Sequence, residues 1–256
     1  MSNSSYGQAI ETSETFLESR RIDIEKMGDD VAMHHQAVQL QIAATRYRYG
    51  YQQIWCGVPI IRLPDDIVLI QEIIWETRPS CIVETGIARG GSLLLNASLM
   101  EMCGIPPAVL GIDIQIMPHA TRALAQSRFS NVIKLLESDS TSVAAQTEVR
   151  NFITTHSGDG PVLAVLDSSH AHSHVLNELQ MIAPLLTLGS VIVVADTIVE
   201  EMPDDFYVGR PWSRGNSPWT AVNEFLSNNP QFSRVEKWSR RGLISEMREG
   251  IVRKTS

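Results

Sequence analysis

The sequence predicts an α/β fold with a mostly parallel sheet, a helical extension before it and an antiparallel hairpin at its end. Two observations lead to this prediction. From residue 64 onward, short apolar runs alternate with helical stretches, as they do in βαβ units. Four of those runs end on an acid, namely Glu84, Asp113, Asp167 and Asp196. Parallel strands end at one edge of a sheet, so the four acids should lie along one ligand-binding crevice.

Residues 1–63 are predicted to form the helical extension together with a strap or lid. Residues 1–5 are expected to be disordered, and helix is expected from about Ile10 to Tyr47 with a break near Gly28. The stretch 47–66 is rich in aromatic residues, glycine and proline, which favours loop or edge structure. It is either a strap over the core or a lid that includes Tyr49, Tyr51 or Trp55.

One domain is predicted from 64 to 256. Its first helix has Asp65 or Asp66 in place to cap it and Pro79 to stop it. Five parallel strands are predicted at 81–84, 108–113, 131–136, 162–167 and 190–195. Further helices are predicted at 91–103, 118–127, 142–155, 173–185 and 218–228. Two final strands, 232–238 and 242–247, form the hairpin and bring the sheet to seven strands.

Composition excludes several classes of protein. The chain has 256 residues, a net charge of −8 and scattered basic residues, which argues against nucleic-acid binding. No apolar stretch reaches the roughly 20 residues of a membrane-spanning helix. The polar, acidic start lacks the pattern of a signal peptide, and the three cysteines form no disulfide or zinc framework. A cytoplasmic enzyme is expected, and its oligomeric state is open.

The turn after the first parallel strand is glycine-rich. Residues 84–92 read ETGIARGGS, so the glycines follow a G-x-x-x-G-G spacing rather than GxGxxG. Glycine allows a tight turn and a close approach of a ligand to backbone amides. An acid before the turn suits a cationic ligand without phosphate, such as S-adenosylmethionine, better than a pyrophosphate. The other interpretation is an ordinary strand–helix turn.

Two later strand ends are candidates for the rest of such a cofactor. Asp113 can accept hydrogen bonds from both hydroxyls of a ribose. The alternative is a helix cap, which Pro118 at the start of the next helix argues against. The cluster Ser138–Asp139–Ser140 is placed to meet an adenine or to cap the helix that follows.

The segment Asp167–His174 carries three alternating histidines after a strand-end acid. An imidazole exchanges protons near neutral pH, so His170 is the best candidate for a general base. His172 and His174 are either metal ligands or solvated and capping side chains. Asp167 and Asp196, at neighbouring strand ends, are an oxygen pair suited to Mg²⁺. Asp196 also has a structural alternative as a capping residue.

The loop 210–218 is long and rich in proline and glycine. Loops of this kind in compact domains often cover or bind ligands. Arg210 and Arg214 are therefore candidates for holding an anionic or sugar substrate. A plain surface loop is the alternative.

Several segments resemble the cephalosporin hydroxylase family over roughly residues 47–250. They are IVETGIARGGSLLLNASLM (82–100), GIDIQIMPH (111–119), VLAVLDSSHAHSHVLNELQMIAPLLTLGSVIVVADT (162–197), WCGVPIIRLPDD (55–66) and RPWSRGNSPWTAV (210–222). The resemblance implies the Rossmann-like fold of class I S-adenosylmethionine-dependent methyltransferases. It also implies Mg²⁺-assisted O-methylation of a small sugar or natural-product acceptor, as in macrolide and rhamnosyl O-methyltransferases.

The resemblance assigns roles residue by residue. The cofactor is expected along Glu84, Gly86, Ala88, Arg89, Gly90 and Ser92, with its ribose on Asp113 and its adenine near Ser138, Asp139 and Ser140. The metal site also resembles that of catechol O-methyltransferase. That likeness makes Asp167 and Asp196 ligands, places His170 where that enzyme has a lysine base, and puts Thr197 in place of an asparagine ligand. Antibiotic-pathway members have a glutamate where this chain has Ala195, so one protein ligand is missing or weakened.

Three alternatives remain open at this stage. A metal-independent methyltransferase would use the acids only for cofactor binding and capping. An iron-type hydroxylase would need two histidines and a carboxylate around an open coordination position. A non-catalytic binding module of the same fold would bind ligands without forming product.

Overall fold

The structure is a computed structural model and describes residues 12–256. The disorder expected for residues 1–5 and the helix start near Ile10 lie outside the described residues. Two helices come first, α1 (Ser13–Asp29) and α2 (Val31–Thr45). Asp30 separates them and caps α2 by accepting a hydrogen bond from the Met33 N–H at 2.9 Å. The predicted break near Gly28 therefore falls at the junction of the two helices.

The segment 47–66 is neither simple loop nor part of the main sheet. A 3₁₀ turn (Tyr49–Tyr51) leads into a small hairpin of β1 (Gln53–Trp55) and β2 (Val58–Ile60). Its two turn residues, Cys56 and Gly57, both have positive φ, as a tight hairpin turn requires. Trp55 Nε1 donates to Ser98 Oγ at 2.9 Å, so the hairpin is fastened to the helix beneath it.

The main sheet has seven strands, five of them parallel. The chain continues through α3 (Pro64–Thr77), β3 (Cys81–Thr85), α4 (Gly91–Met102), β4 (Val109–Asp113), α5 (Pro118–Ala125), β5 (Ile133–Glu137), α6 (Val143–His156), β6 (Val162–Leu166), α7 (His172–Ile182), β7 (Val191–Val194), α8 (Pro218–Asn228), β8 (Phe232–Arg234), α9 (Glu236–Ser239) and β9 (Ile251–Lys254). The strand order is β5-β4-β3-β6-β7-β9-β8, and β9 runs antiparallel to both of its neighbours. The predicted α/β class and mostly parallel seven-stranded sheet are confirmed.

Successive side chains along each strand point to opposite faces of the sheet, so the core has two layers. Ile82, Val109 and Leu163 pack with α3, α4 and α5 on one face of the sheet. Val83 and Leu110, the next residues along β3 and β4, pack with α6, α7 and α8 on the other face. Because both faces are covered, the central strands β6 and β7 are continuously apolar and buried, as strands in sheets of this class are.

The C-terminal hairpin was predicted with one wrong strand. Residues 242–247 are irregular, α9 follows β8 directly, and the partner of β8 is β9. Asp65 accepts from the N–H groups of Leu243 and Ile244, and Asp66 accepts from the N–H of Glu246. The backbone N–H groups that would otherwise bond to a neighbouring strand are thus bound by carboxylates. The two acids consequently do not cap α3, whose N-cap position is Leu63.

The N-terminal helices pack against α3 and against later parts of the described chain. Arg240 pairs with Asp29 at 3.2 Å, and Arg20 pairs with Glu72 on α3 at 3.1 Å. On the other side, Val38 of α2 packs with Ile198. Among the described residues, none of the helices has the length and apolar character needed to cross a bilayer.

Candidate active site

A cavity of about 630 Å³ opens beyond the carboxyl ends of β3, β6 and β7. Its floor includes residues that follow those strands, namely Gly86, Asp167 and Asp196. Its walls come from the strap before α3 and from the loop after β7. Such a crevice is where open α/β sheets bind ligands.

The glycine-rich turn is shaped by contact between β3 and β6. Gly86 has a φ of 88°, and a Cβ there would lie 2.0 Å from the carbonyl oxygen of Asp167. Only glycine fits such a position. Of the predicted cofactor residues in this turn, Gly86, Ala88, Arg89 and Ser92 line the cavity. Gly90 instead lies beneath the turn, against Leu124.

Glu84 is placed differently from the expectation. It is fully buried, and its carboxylate accepts hydrogen bonds from Ser92 Oγ and, at 2.6 Å, from Asn96 Nδ2. Burial raises the pKa of Glu84, while the charge of Arg62 opposes that rise. The carboxylate therefore joins β3 to α4 and does not line the cavity, which corrects the prediction of a direct ligand contact.

Asp113 holds the other side of the glycine-rich turn. Its Oδ2 accepts from the N–H groups of Ile87 at 2.8 Å and Ala88 at 3.2 Å, and Oδ1 accepts from that of Gln115 at 3.1 Å. It does not cap α5, whose N-cap position is Met117. The carboxylate is half-buried and shapes the turn directly, and its contact with a ribose stays a prediction.

The cluster 138–140 is engaged in local hydrogen bonds. Asp139 accepts from the N–H and the hydroxyl of Thr141 at 2.8 and 2.7 Å, which lowers its pKa. Ser138 Oγ lies 2.8 Å from the hydroxyl of Ser142, the N-cap of α6. Ser140 is buried, with Oγ 2.9 Å from His174 Nε2. These contacts fit the capping interpretation, and an adenine contact stays untested.

Three side chains converge on the cavity floor. Asp167, His170 and Asp196 each offer a ligand atom, and these atoms all lie within 4.8 Å of one another. His170 Nε2 is 3.5 Å from Asp196 Oδ2, and its ring meets the edge of Trp212 at 5.4 Å between centroids. Asp196 has a φ of 54°, an uncommon conformation for aspartate that turns the chain away from β7.

Thr197 does not join this group. Its side chain is buried, and Oγ1 donates to the carbonyl oxygens of Glu246 at 3.1 Å and Arg248 at 2.5 Å. The prediction of Thr197 as a metal ligand is therefore corrected, since its hydroxyl serves the backbone of the C-terminal segment. Ala195, on the other side of Asp196, is buried and has no side-chain donor atom.

Of the three alternating histidines, only His170 reaches the floor. His172 bonds Thr220 Oγ1 at 2.8 Å and Glu224 Oε2 at 3.0 Å, so it connects α7 to α8. His174 Nε2 lies 3.1 Å from Ser168 Oγ, and its contact with buried Glu178 raises the pKa of the imidazole. The structure does not bring two histidines and a carboxylate together here, as an iron-type hydroxylase would require.

Sequence reasoning missed several charged residues of the site, among them Arg62 and Glu246. Arg62 has an exposed fraction of 2%, and its guanidinium contacts Asp167 at 3.2 Å and Glu246 at 3.8 Å. Burial raises the pKa of both carboxyls well above their ordinary values, while Arg62 lowers it. A signal existed for Arg62, because it interrupts the apolar run VPIIRL. Nothing in the local sequence marks Glu246.

The loop after β7 forms an aromatic wall of the cavity. The Arg210 guanidinium lies 4.2 Å from the ring centroid of Phe206 and 4.5 Å from that of Trp212. Arg214 instead donates to the carbonyl oxygens of Glu200 and Met202, so it fixes the loop. Of the two arginines considered from sequence, Arg210 therefore lines the cavity.

Comparison with known proteins agrees with this geometry. Residues 47–255 match the family model described as rhamnosyl O-methyltransferase/CmcI. A rhamnosyl O-methyltransferase of Mycobacterium leprae is 33% identical over 149 residues, which cover 58% of this chain and 62% of that protein. The chain thus matches less than two thirds of the length of this curated relative.

Solved structures of CmcI share the fold. A structure of CmcI with Mg and SAM has a TM-score of 0.56 at 22% identity, covering 80% of this chain and 78% of the other. An apo-structure of CmcI has a TM-score of 0.58 at 21% identity, covering 80% and 77%. The predicted class I methyltransferase fold and family resemblance are confirmed, and the chain belongs to the rhamnosyl O-methyltransferase/CmcI family.

Proposed function

We propose that the protein is an S-adenosylmethionine-dependent O-methyltransferase that acts, with a divalent cation, on a hydroxyl group of a sugar or natural product. One observation carries the proposal: a glycine-rich turn, an imidazole and two carboxylates meet in a single cavity. Similarity to proteins named rhamnosyl O-methyltransferase supports the reaction and the acceptor class. The Mg and SAM in a structure of the same fold support the two cofactors.

The cofactor would lie along the glycine-rich turn. Gly86 and Ala88 bring backbone close to the cavity, and Arg89 adds side-chain donors at its wall. Ser92 also lines the wall, but its hydroxyl donates to Glu84 and offers the cofactor only an acceptor. Asp113 already fixes two amides of the turn, so the backbone is ordered before a ligand arrives. We assign ribose contact to Asp113 and adenine contact to the neighbourhood of Ser138. S-adenosylmethionine supplies a sulfonium methyl group for transfer.

The cation would be held by Asp167 and Asp196. Carboxylate oxygens are the ligands that Mg²⁺ prefers, and waters complete its shell. The donor set fits, because it offers two carboxylates on the floor of a cavity large enough for an acceptor. A bound divalent cation lowers the pKa of a coordinated hydroxyl group.

His170 would remove the proton of the acceptor hydroxyl at Nε2. Asp196 at 3.5 Å stabilises the imidazolium that forms, and the edge of Trp212 restricts the ring. Methyl transfer requires an in-line approach of oxygen to the methyl carbon, so positioning should account for much of the rate. The aromatic wall and Arg210 are the groups that would orient the acceptor.

A metal-independent methyltransferase is the second candidate, and Arg62 favours it. This buried guanidinium already partly neutralises Asp167, which is one task of a cation. Transfer that persists in EDTA would select this candidate. Transfer that stops in EDTA and returns with Mg²⁺ would select the first.

Calorimetric titration with S-adenosylmethionine, with and without Mg²⁺, tests the central proposal. We expect S-adenosylmethionine to bind in both conditions. In a separate assay with radiolabelled cofactor, a sugar or diol acceptor should become methylated. Asp196→Asn should bind cofactor normally but lose most of the Mg²⁺-dependent transfer. No cofactor binding at millimolar concentration would refute the proposal.

A further inference from the structure

The residues flanking Asp196 contribute nothing to the cavity floor. Ala195 has no donor atom, and the Thr197 hydroxyl is bound to two backbone carbonyls. One of those carbonyls belongs to Glu246. The contact of Thr197 with the main chain of Glu246 therefore brings a distant acid to the cavity that Asp196 lines.

Glu246 is a further carboxylate that lines the cavity. Its backbone is fixed on both sides, since its N–H donates to Asp66 at 2.9 Å and its carbonyl accepts from Thr197 at 3.1 Å. Its side chain is 13% exposed, and its one ion pair within the described chain is with Arg62 at 3.8 Å. That separation is too long for a hydrogen bond, so the carboxylate keeps acceptor capacity toward the cavity.

The cavity floor holds more carboxylates than the buried guanidinium of Arg62 contacts. Asp167 and Glu246 share the guanidinium of Arg62, at 3.2 and 3.8 Å, whereas Asp196 contacts the imidazole of His170 at 3.5 Å. Buried carboxylates grouped in this way are costly unless paired or bound to a metal.

We infer that Glu246 supplies a third protein carboxylate to the divalent cation held by Asp167 and Asp196. It would act through one bound water, because Glu246 is not among the residues whose ligand atoms lie within 4.8 Å of one another at this site. The inference rests on the cation of the proposed function but not on methyl transfer. The number of charged ligands and their rigidity set the affinity of an oxygen site, so loss of Glu246 should weaken binding.

Binding of Mn²⁺, followed by the paramagnetic resonance of the free ion, tests the inference without cofactor or acceptor. Glu246→Gln should weaken Mn²⁺ binding on the order of tenfold or more. The matched control is Glu249→Gln, three residues later on the same segment. Glu249 pairs with Arg234 at 3.1 Å and with Arg240 at 3.0 Å, does not line the cavity, and should leave Mn²⁺ affinity unchanged.

A second variant keeps the inference testable if Glu246→Gln does not fold. Glu246→Asp keeps a charge facing Arg62 but withdraws the carboxylate by one methylene, so Mn²⁺ binding should again weaken. If Glu246 serves only as an ion-pair partner of Arg62, the Mn²⁺ affinity of this variant should equal that of the parent protein. Parent-like affinity in the folded variant, or no Mn²⁺ binding by the parent protein, overturns the inference. Cofactor calorimetry on the same samples tells this failure apart from failure of the methyltransferase proposal.

Discussion

Single residues at the strand ends determine the geometry of the floor. Gly86 allows the end of β3 to touch the carbonyl of Asp167, and Asp113 holds the amides of the same turn. Asp66 holds the amide of Glu246 and accepts from Ser245 Oγ at 2.5 Å. Each of these contacts joins segments distant in sequence, so each can be tested by one substitution.

Gly86→Ala should destabilise the protein by roughly 2 kcal/mol or more, because a Cβ meets backbone and φ is positive. Gly104→Ala is the matched control, since Gly104 has a φ of 69° but nothing within 4 Å of a Cβ. It should cost only about 1 kcal/mol. Urea unfolding measures both, and equal losses would show that the contact with Asp167 does not constrain this position.

Asp66 should make stability depend on pH. Burial raises the pKa of Asp66 to about 6 in the folded protein, above its ordinary value of 3.8. The folded state therefore binds the proton more tightly than the unfolded state does. The resulting stabilisation is complete below about pH 4 and disappears as pH rises through 6.

Asp66→Asn removes this titration. The unfolding free energy of the variant minus that of the parent should increase by up to about 3 kcal/mol between pH 4 and pH 7. Urea unfolding at several pH values measures the difference. A difference that stays constant across this range would contradict a raised pKa for Asp66.

At the scale of elements, the loop after β7 connects the aromatic wall of the cavity to the candidate base. Trp212 contacts the ring of His170 and also stacks with Arg210. Trp212→Leu should lower kcat/KM for the acceptor roughly tenfold or more, because a misplaced base and acceptor slow transfer. Cofactor affinity should be unchanged. Val208→Ala, at an exposed position of the same loop, is the control, and equal kinetics for both variants would exclude the wall from acceptor binding.

The parallel strands were predictable from sequence because each is a short apolar run between helical patterns. The C-terminal segment was not, because Asp65 and Asp66 bind its amides across the molecule. Asp167, His170 and Asp196 could be placed together, since strand order brings strand ends to one edge. Glu246 could not, because its position depends on a contact with Thr197 that no local pattern records.

At the scale of the whole molecule, the cavity floor is built from residues that are spread over most of the chain. Arg62 precedes the first strand of the main sheet, Asp167 and Asp196 follow central strands, and Glu246 precedes the last. A ligand that bridges such segments binds only the folded state. It should therefore raise the stability of the entire fold.

Mg²⁺ at a hundred times its dissociation constant should increase the unfolding free energy by about 2.7 kcal/mol. Thermal or urea unfolding, compared at matched ionic strength with NaCl, measures this. Asp167→Asn should show little of the increase, because it removes one of the two principal carboxylates. Equal stabilisation of parent and variant by Mg²⁺ would place the binding elsewhere.

The order of the last two strands has a consequence for how the molecule is made. β8 comes before β9 in the chain, yet it reaches the sheet only through β9, which pairs with β7 on its other side. During synthesis, β8 has no partner until β9 has left the ribosome. The segment that carries Glu246 lies between these strands, so both of its ends are fixed to the sheet only when β9 inserts. The floor of the cavity should therefore be one of the last parts of the molecule to form.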